Sequence, residues 1–330
     1  MDAVQKRNSV GKVVVLGTGG TIAGVARRAG DNVGYEAAQL GVAQLVEVVL
    51  RAAPTLSQED LLAEQVAQIN SKDMTHALWL HLLQRVDHWL GQNEVQAVVI
   101  THGTDTLEET AYLLHRLLAP RKPVVLTCAM RPATALSPDG PQNLADALAL
   151  ARWPGASGVM MVANALVHGA VDVQKVHPYR VEAFSSPDAG PIARMEEGQV
   201  VALRDWPRAP QAVWTSLSMR LREAWPWVAI VTGHAGTDAR QVDALVAAGV
   251  QGLVIAGSGN GSVHEALLPA LAQARRSGVR VWRASRCLQG RVVAAPGSQR
   301  TDAWDHTTDL PPVKARIALM IELMQDAVRA

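Results

Sequence analysis

Short apolar runs alternate with helix-like segments along most of this 330-residue chain, and this alternation limits its fold more than any other feature. The runs are rich in Val, Ile and Leu and occupy residues 12–16, 96–101, 123–127, 158–162, 228–232, 252–256 and 279–283. The helix-like segments occupy residues 37–50, 73–90, 107–118, 141–151, 239–247, 263–276 and 313–327. Such alternation predicts β–α–β units, and continuous apolar runs are typical of strands covered on both faces. We therefore predict an α/β fold with a doubly wound, mainly parallel sheet.

The alternating pattern breaks down between about residues 196 and 227. Pro207, Pro210 and Pro226 interrupt this stretch, and proline lacks the backbone donor that regular structure needs. A chain of this length is expected to form about two domains. We predict a larger N-terminal α/β catalytic domain over residues 1–200, a linker over 201–227 and a smaller C-terminal α/β domain over 228–330.

Composition and charge exclude several classes of protein. Hydrophobic residues make up 48% of the chain and charged residues 18%, which argues against disorder. The net charge of +1 provides no broad basic field for nucleic acid or an anionic membrane. Two cysteines are too few for a disulfide framework, and no apolar run reaches the ~20 residues that span a bilayer. The polar N-terminus lacks the apolar core of a secretion signal, so we expect a cytoplasmic protein, the alternative being one from which a signal has been removed.

The glycine-rich segment GTGGTIAG, residues 17–24, directly follows the first apolar run. Glycines let the backbone approach a ligand closely, and ligands of parallel sheets bind where strands end. A dinucleotide fingerprint would need glycine in place of Ile22, and the phosphate-loop pattern is absent from the sequence. Thr21 therefore either caps a turn or helix or is a nucleophile, which would need a base or proton relay and oxyanion donors. Tyr35, in a glycine-flanked polar loop, is either its partner or a surface aromatic residue.

A second hydroxyl, that of Thr104, follows the apolar run at 96–101. Asp105 lies beside it and either accepts hydrogen bonds from a ligand ammonium group or stabilises the dipole of the next helix. His102 is better interpreted as a packed, hydrogen-bonded imidazole than as part of a catalytic triad. We predict that the hydroxyls of Thr21 and Thr104 face one small cavity at the carboxyl edge of the sheet.

Other polar residues give weaker signals. Ser71 follows a short apolar run and either caps the next helix or binds a ligand. Lys175 is either solvated or, if buried beside Thr104, a proton acceptor whose pKa is lowered by desolvation. The three histidines between residues 76 and 88 are five and seven residues apart. This spacing does not match the metal-binding H-E-x-x-H helix, so we predict a solvated face and no metal site.

The motifs described above belong to a longer set of segments that follow one another along nearly the whole chain. They are NSKDM at 70–74, ITHGTDTLEETA at 100–111, AMRP at 129–132, DGP at 139–141, NL at 143–144, DVQK at 172–175, GSGNG at 257–261, ASR at 284–286 and KAR at 314–316, together with GTGGTIAG. This set resembles the bacterial-type L-asparaginases, the class that includes the asparaginase-glutaminases. The resemblance implies hydrolysis of the side-chain amide of L-asparagine to L-aspartate and ammonia, with some glutaminase activity and without metal or organic cofactor.

The resemblance also implies roles for individual residues. By position, the catalytic residues are the nucleophile Thr21, the flexible-loop tyrosine Tyr35, and the cluster of Thr104, Asp105 and Lys175. The implied substrate-binding residues are Gly20, Ser71, Lys72, Thr104, Asp105, Ala129 and Asn260. Ser71 and Asp105 would hold the α-carboxylate and α-amino groups, and Asn260 would reach into the site of a neighbouring protomer. Homotetramers built from intimate dimers are the family norm.

Two features depart from the family pattern. Lys72 stands where many secreted members carry Gln, which puts a second cation beside the amino-acid clamp and leaves the preference for Asn or Gln open. Many members also have a C-domain Glu that supports the loop tyrosine. Between residues 286 and 314 this chain has only the carboxylates of Asp302, Asp305 and Asp309.

Two further functions are compatible with the sequence. A non-catalytic amino-acid sensor would keep the clamp but would need neither hydroxyl as a nucleophile. An amide-cleaving subunit of a tRNA-amidating enzyme would carry an extra N-terminal domain, whereas about a dozen residues precede the first strand here. The retained Thr21 and Thr104 favour an amidohydrolase.

Overall fold

The structure is a computed structural model and describes residues 11–28, 30–52, 57–207, 211–293 and 303–329. Contacts divide the chain into two compact units, Met1–Val213 and Trp214–Ala330. The boundary lies inside the stretch that the sequence predicts as a linker, and a helix already begins at Trp214. Within the described ranges, no helix combines the length and apolar character needed to cross a bilayer.

The first unit is built around a large sheet. Its strands are β1 Lys12–Gly19, β2 Val25–Ala26, β3 Tyr35–Glu36, β4 Leu61–Ile69, β5 Val95–Thr101, β6 Val124–Thr127, β7 Val159–Ala163, β8 Leu166–Gly169, β9 Gln174–Lys175, β10 Phe184–Ser185, β11 Ala193–Glu196 and β12 Gln199–Ala202. Its helices are α1 Val42–Ala52, α2 His76–Leu90, α3 Leu107–Leu118 and α4 Gly140–Ala151.

The large sheet is mixed, with strand order β12-β11-β8-β7-β6-β5-β1-β4. Strands β4, β1, β5, β6 and β7 are parallel, whereas β8, β11 and β12 join as antiparallel neighbours. The predicted α/β class is therefore confirmed, but the antiparallel part of the sheet was not foreseen. Because the parallel strands share a direction, the loops after β1, β4, β5 and β6 all leave the same edge of the sheet.

Helices cover both faces of the parallel strands, as the continuous apolar runs predict. Alternate β1 residues Val13 and Val15 share a core with α1 and α4. Helix α2 packs against α3 and β5, and its side chains Leu83 and Val86 are fully buried. Strands buried on both faces hold their carboxyl ends rigidly, which suits a binding site on the loops that follow.

Two tight hairpins account for two of the three antiparallel pairings in the large sheet, β7–β8 and β11–β12. Asn164 and Ala165 link β7 to β8 with φ of 51° and 60°, and Glu197 and Gly198 link β11 to β12 with φ of 48° and 73°. Positive φ at both central residues is the pattern of a two-residue hairpin whose twist matches the flanking strands. These turns fold the chain back without a crossover helix.

The second unit is a smaller α/β domain. Its elements are α5 Trp214–Glu223, β13 Val228–Thr232, α6 Arg240–Ala247, β14 Gly252–Gly257, α7 Leu268–Arg276, β15 Arg280–Ser285, β16 His306–Thr307 and α8 Pro312–Arg329. The strands form a parallel sheet in the order β13-β14-β15-β16. Helix α7 begins later than predicted because Pro269 occupies its first turn, a position that proline favours.

Candidate active site

The loop after β1 places Thr21 at the edge of the sheet. Gly19 and Gly20 adopt φ of 100° and 83°, which strongly favours glycine. The Gly20 N–H donates to the carbonyl oxygen of Ile69 at the end of β4. Thr21 then begins a short 3-10 helix, Thr21–Ala23, and its side chain is buried. The loop therefore fixes this hydroxyl on a rigid strand end.

The small hairpin formed by β2 and β3 brings Tyr35 back to this threonine. The hydroxyl oxygens of Thr21 and Tyr35 lie 2.6 Å apart. Thr134, on the loop after β6, anchors the hairpin at two points. Its hydroxyl oxygen accepts from the Ala26 N–H at 2.8 Å and its carbonyl oxygen from the Gly30 N–H at 3.2 Å. These two hydrogen bonds to Thr134 thus hold the hairpin that places Tyr35 beside Thr21.

The loop after β5 carries the second group of polar residues. Lys175, in β9, donates from Nζ to Thr104 Oγ1 at 2.8 Å and to Asp105 Oδ1 at 2.6 Å. The Lys175 side chain is only 17% exposed, and its backbone N–H donates to Glu108 at the start of α3. A lysine 71 residues away in sequence is therefore positioned beside the Thr104 hydroxyl.

These groups surround one small cavity of about 120 Å³. The residues that line it are Thr21, Asn32, Tyr35, Asn70, Thr104, Asp105, Met130, Lys175, Pro178 and Tyr179. The cavity thus combines one pair of hydroxyls, from Thr21 and Tyr35, with the Thr104 hydroxyl, the Asp105 carboxylate and the Lys175 ammonium group. This set can bind both charged ends of an amino acid and place a hydroxyl beside its side chain.

His102 supports the cavity from within the protein. Its Nδ1 lies 2.8 Å from the Gly103 carbonyl oxygen and its Nε2 lies 3.0 Å from the Thr110 hydroxyl. The Trp79 indole N–H donates to the same hydroxyl at 2.9 Å. Because a carbonyl can only accept, Nδ1 carries the proton and Nε2 accepts from Thr110. Complete burial lowers the pKa of His102 to about 4, so the ring is the packed, neutral imidazole that the sequence favoured.

Several residues implied in substrate binding do not line the cavity. The Ser71 hydroxyl oxygen accepts the Asp105 N–H at 3.1 Å and so supports the clamp from behind. Lys72 Nζ forms an exposed ion pair with Asp73, 2.9 Å from both carboxylate oxygens. Ala129 is buried in the core that α1 and α4 share with the sheet. Gly20 contributes its backbone turn to the site.

Asn260 belongs to the second unit, where its side-chain amide forms a pair of 2.7 Å hydrogen bonds with the backbone of Val293. Asp305 accepts from the side chain of Arg275 and the N–H of Val281, and Asp309 accepts from the N–H of Val292. Asp302 lies outside the described residues. Asp305 and Asp309 thus form hydrogen bonds within their own domain. They are two of the three carboxylates in the region where many family members carry the C-domain Glu.

Five lining residues were not anticipated as site residues: Asn32, Asn70, Met130, Pro178 and Tyr179. Asn70 directly precedes Ser71, Met130 directly follows Ala129, and Asn32 lies three residues before Tyr35. This closeness in sequence to predicted site residues was the available signal. Pro178 and Tyr179 follow Lys175 in a turn held by His177, whose Nδ1 accepts the N–H groups of residues 179 and 180. No sequence pattern indicated that turn.

Comparisons with known proteins agree with this arrangement. The chain matches the family model for the N-terminal domain of asparaginase over residues 12–208 and that for the glutaminase/asparaginase C-terminal domain over residues 227–329. It is 37% identical to a glutaminase-asparaginase of Pseudomonas fluorescens biotype A, over 97% of this chain and 88% of that protein. It is 36% identical to L-asparaginase 2 of Escherichia coli strain K12, over 95% of this chain and 89% of that protein.

A solved structure is similar throughout. The probable cytoplasmic L-asparaginase from Campylobacter jejuni superimposes with a TM-score of 0.85 at 35% identity, covering 96% of this chain and 99% of that one. Fold and domain matches together define a two-domain amidohydrolase. The chain belongs to the asparaginase family.

Proposed function

We propose that the chain hydrolyses the side-chain amide of L-asparagine to L-aspartate and ammonia, with Thr21 as the nucleophile and with some activity on L-glutamine. One observation carries this proposal. The Thr21–Tyr35 pair, at 2.6 Å, and the Lys175–Thr104 pair, at 2.8 Å, line the same cavity. A binding protein would need the charged clamp but no hydroxyl paired with a proton relay, so the geometry favours hydrolysis over amino-acid sensing.

In the first step, Thr21 Oγ1 attacks the amide carbon. The threonine proton moves to the Tyr35 oxygen as the tyrosine proton passes to the amide nitrogen, which leaves as ammonia. Backbone N–H groups at the start of the short 3-10 helix hold the oxyanion, because the first N–H groups of a helix have no partner within it. Such donors contribute about 3 kcal/mol each to transition-state stabilisation.

In the second step, water hydrolyses the Thr21 ester. The Lys175 nitrogen accepts a proton of this water through Thr104 while the water oxygen adds to the acyl carbon. Thr21 Oγ1 then leaves with the proton of Tyr35, and the proton taken up by Lys175 returns to Tyr35. Asp105 holds the substrate's α-ammonium group. Because the α-ammonium group competes with Lys175 for Asp105, substrate binding frees the lysine nitrogen to act on Thr104. Ser71, whose oxygen accepts the Asp105 N–H, fixes the backbone of Asp105 and so orients its carboxylate. Proton transfer by positioned groups of this kind contributes about 10²–10⁴ in rate.

The proposal is tested by ammonia release from L-asparagine and L-glutamine. We expect Thr21→Ala to abolish turnover and Thr21→Ser to keep part of it. Thr75→Ala is the matched control, since it removes a threonine hydroxyl that caps α2 outside the cavity. No release from either amide by the wild type would favour the sensor. Undiminished turnover by Thr21→Ala would show that another group is the nucleophile.

Assembly and location complete the proposal. We expect a homotetramer of intimate dimers, to which Asn260 contributes across a protomer boundary, and sedimentation of the purified chain tests this assembly. We expect a cytoplasmic location. The Campylobacter jejuni relative, named cytoplasmic, supports it. A Haemophilus influenzae relative, 36% identical, is named periplasmic, so cell fractionation decides between the compartments.

A further inference from the structure

Asn32 has a buried side-chain oxygen that none of the described residues satisfies. Its Oδ1 exposes less than 1 Å² of surface and has no hydrogen-bond partner within that part of the chain. Leaving a buried acceptor unpaired costs roughly 1–3 kcal/mol, so buried polar groups without partners are rare in folded proteins. This oxygen is therefore available to accept a hydrogen bond from a donor outside the described chain.

The same residue lines the candidate active site. Asn32 borders the cavity together with Thr21, Tyr35 and Thr104. The terminal torsion of an asparagine side chain is broad and soft, so the oxygen can change direction without movement of the backbone. Because an amide oxygen can only accept a hydrogen bond, a ligand in the cavity that binds this oxygen must carry a hydrogen-bond donor.

The backbone on both sides of Asn32 is fixed. Asp31 Oδ1 accepts the Val33 N–H at 2.9 Å and the Gly34 N–H at 2.7 Å. These N–H groups, Gly34 first, hold the pKa of Asp31 below its ordinary value. On the other side, the Gly30 N–H donates to the Thr134 carbonyl oxygen. These hydrogen bonds fix the position of Asn32, and none of them involves the Asn32 side chain.

We propose that the Asn32 side-chain oxygen accepts a hydrogen bond from an N–H of the bound amino-acid amide, which makes Asn32 a substrate-contacting residue. The inference rests on the proposed function, since it takes L-asparagine as the ligand. Two substrate groups carry suitable N–H donors, the side-chain amide and the α-ammonium group. The amide nitrogen gains positive charge as it leaves as ammonia, so a bond to it would strengthen in the transition state and raise the rate.

The test compares Asn32→Leu, which keeps the size but removes the acceptor, with Asn32→Asp, which retains an acceptor. Val33→Ala is the control, because Val33 is 77% exposed in the same turn. Steady-state ammonia release from L-asparagine and competitive inhibition by L-aspartate are measured for each variant. We expect kcat/KM of Asn32→Leu to fall about tenfold, corresponding to one neutral hydrogen bond. Asn32→Asp should lose less, and Val33→Ala should match the wild type.

Inhibition by L-aspartate identifies the donor, since this product has the α-ammonium group but no amide. Unchanged inhibition of Asn32→Leu assigns the bond to the amide nitrogen, whereas inhibition weakened in parallel with kcat/KM assigns it to the α-ammonium group. A purely structural role would instead lower the thermal midpoint and impair every ligand equally.

Unchanged kcat/KM and inhibition in Asn32→Leu would overturn the inference, as would a lower activity of Asn32→Asp than of Asn32→Leu. Failure of the proposed function is distinguishable, because the wild type itself would then release no ammonia. In that case, calorimetric titration of L-asparagine into the wild type and Asn32→Leu still tests the contact, and equal affinities would refute it.

Discussion

The backbone of Gly20 packs directly against that of Gly103. A β-carbon added to Gly20 would lie 2.5 Å from the Gly103 nitrogen. This contact joins the loop after β1 to the loop after β5, and so joins the Thr21 and Thr104 halves of the cavity. Only a residue without a side chain permits so close an approach of two main chains.

We therefore expect Gly20→Ala to separate the two loops and lower kcat/KM by roughly a hundredfold, because a displacement near 1 Å has effects of that size. Gly155→Ala is the matched control. Gly155 has a φ of 87°, close to the 83° of Gly20, but a β-carbon there meets nothing within 4 Å. Both variants place alanine at a positive φ, which residues with side chains rarely adopt. Equal activities of the two variants would refute the importance of the contact.

Tyr35→Phe removes the hydroxyl that contacts Thr21 and preserves the ring. If Tyr35 relays the threonine proton, kcat should fall by about 10²-fold or more while KM changes little, since proton transfer acts on the chemical step. Tyr112→Phe serves as the control, because that hydroxyl accepts from Arg116 outside the cavity. A change confined to KM would make Tyr35 a binding residue only.

Thr134→Val removes the acceptor that holds the Ala26 N–H and keeps the shape of the side chain. Loss of such a bond costs about 1–2 kcal/mol, so the hairpin should dock less often and kcat should drop several-fold. Thr134→Ser, which restores the hydroxyl, should recover most of the activity. Because Thr134 acts through Tyr35, its effect should shrink in the Tyr35→Phe background, as a double-mutant cycle measures. Fully additive losses would contradict this coupling.

Burial of His102 predicts a pH dependence of stability. The folded-state pKa of about 4 lies below the ordinary histidine pKa of 6.5, so the unfolded chain binds the proton more readily between these two pH values. The stability contributed by the neutral ring is complete above about pH 6.5 and declines as the pH falls toward 4, by about 3 kcal/mol in total. Urea unfolding between pH 5 and 7.5 should show the difference between wild type and His102→Gln narrowing at the acid end. A difference independent of pH would argue against the shift.

The parts of the fold and site that could be predicted from the sequence are those that depend on a few neighbouring residues. Continuous runs such as Val13-Val14-Val15 mark strands buried on both faces, and glycines that follow them mark loops where the backbone turns at the sheet edge. Apolar runs do not identify strands whose pattern is broken by polar residues. Strand β4 is an example, because it carries the polar residues Glu64 and Gln65. Glu64 accepts two hydrogen bonds from Arg85, so the place of β4 in the sheet depends on tertiary contacts.

The missed hairpin at Asn164 and Ala165 has a different cause. Type I′ turns usually show glycine at their second position, and alanine gives no such signal. The fold stabilises the turn from outside, because Asn143 Oδ1 accepts the Asn164 N–H at 2.9 Å. Lys72 shows another limit of the sequence, since its ion pair with Asp73 depends on side-chain direction, which a motif alone does not define.

The two halves of the cavity differ in how much chain separates their partners. Thr21 meets Tyr35 across 14 residues, whereas Thr104 meets Lys175 across 71 residues that include β6, α4, β7 and β8. Closing a longer loop has the larger entropic cost, and distant contacts form more slowly than local ones. The short pair is not purely local, however, because the hairpin that carries Tyr35 is held by Thr134, about a hundred residues further along the chain. Both halves of the cavity therefore need chain that is synthesised well after their threonines, and neither is complete on a nascent chain that ends before Thr134.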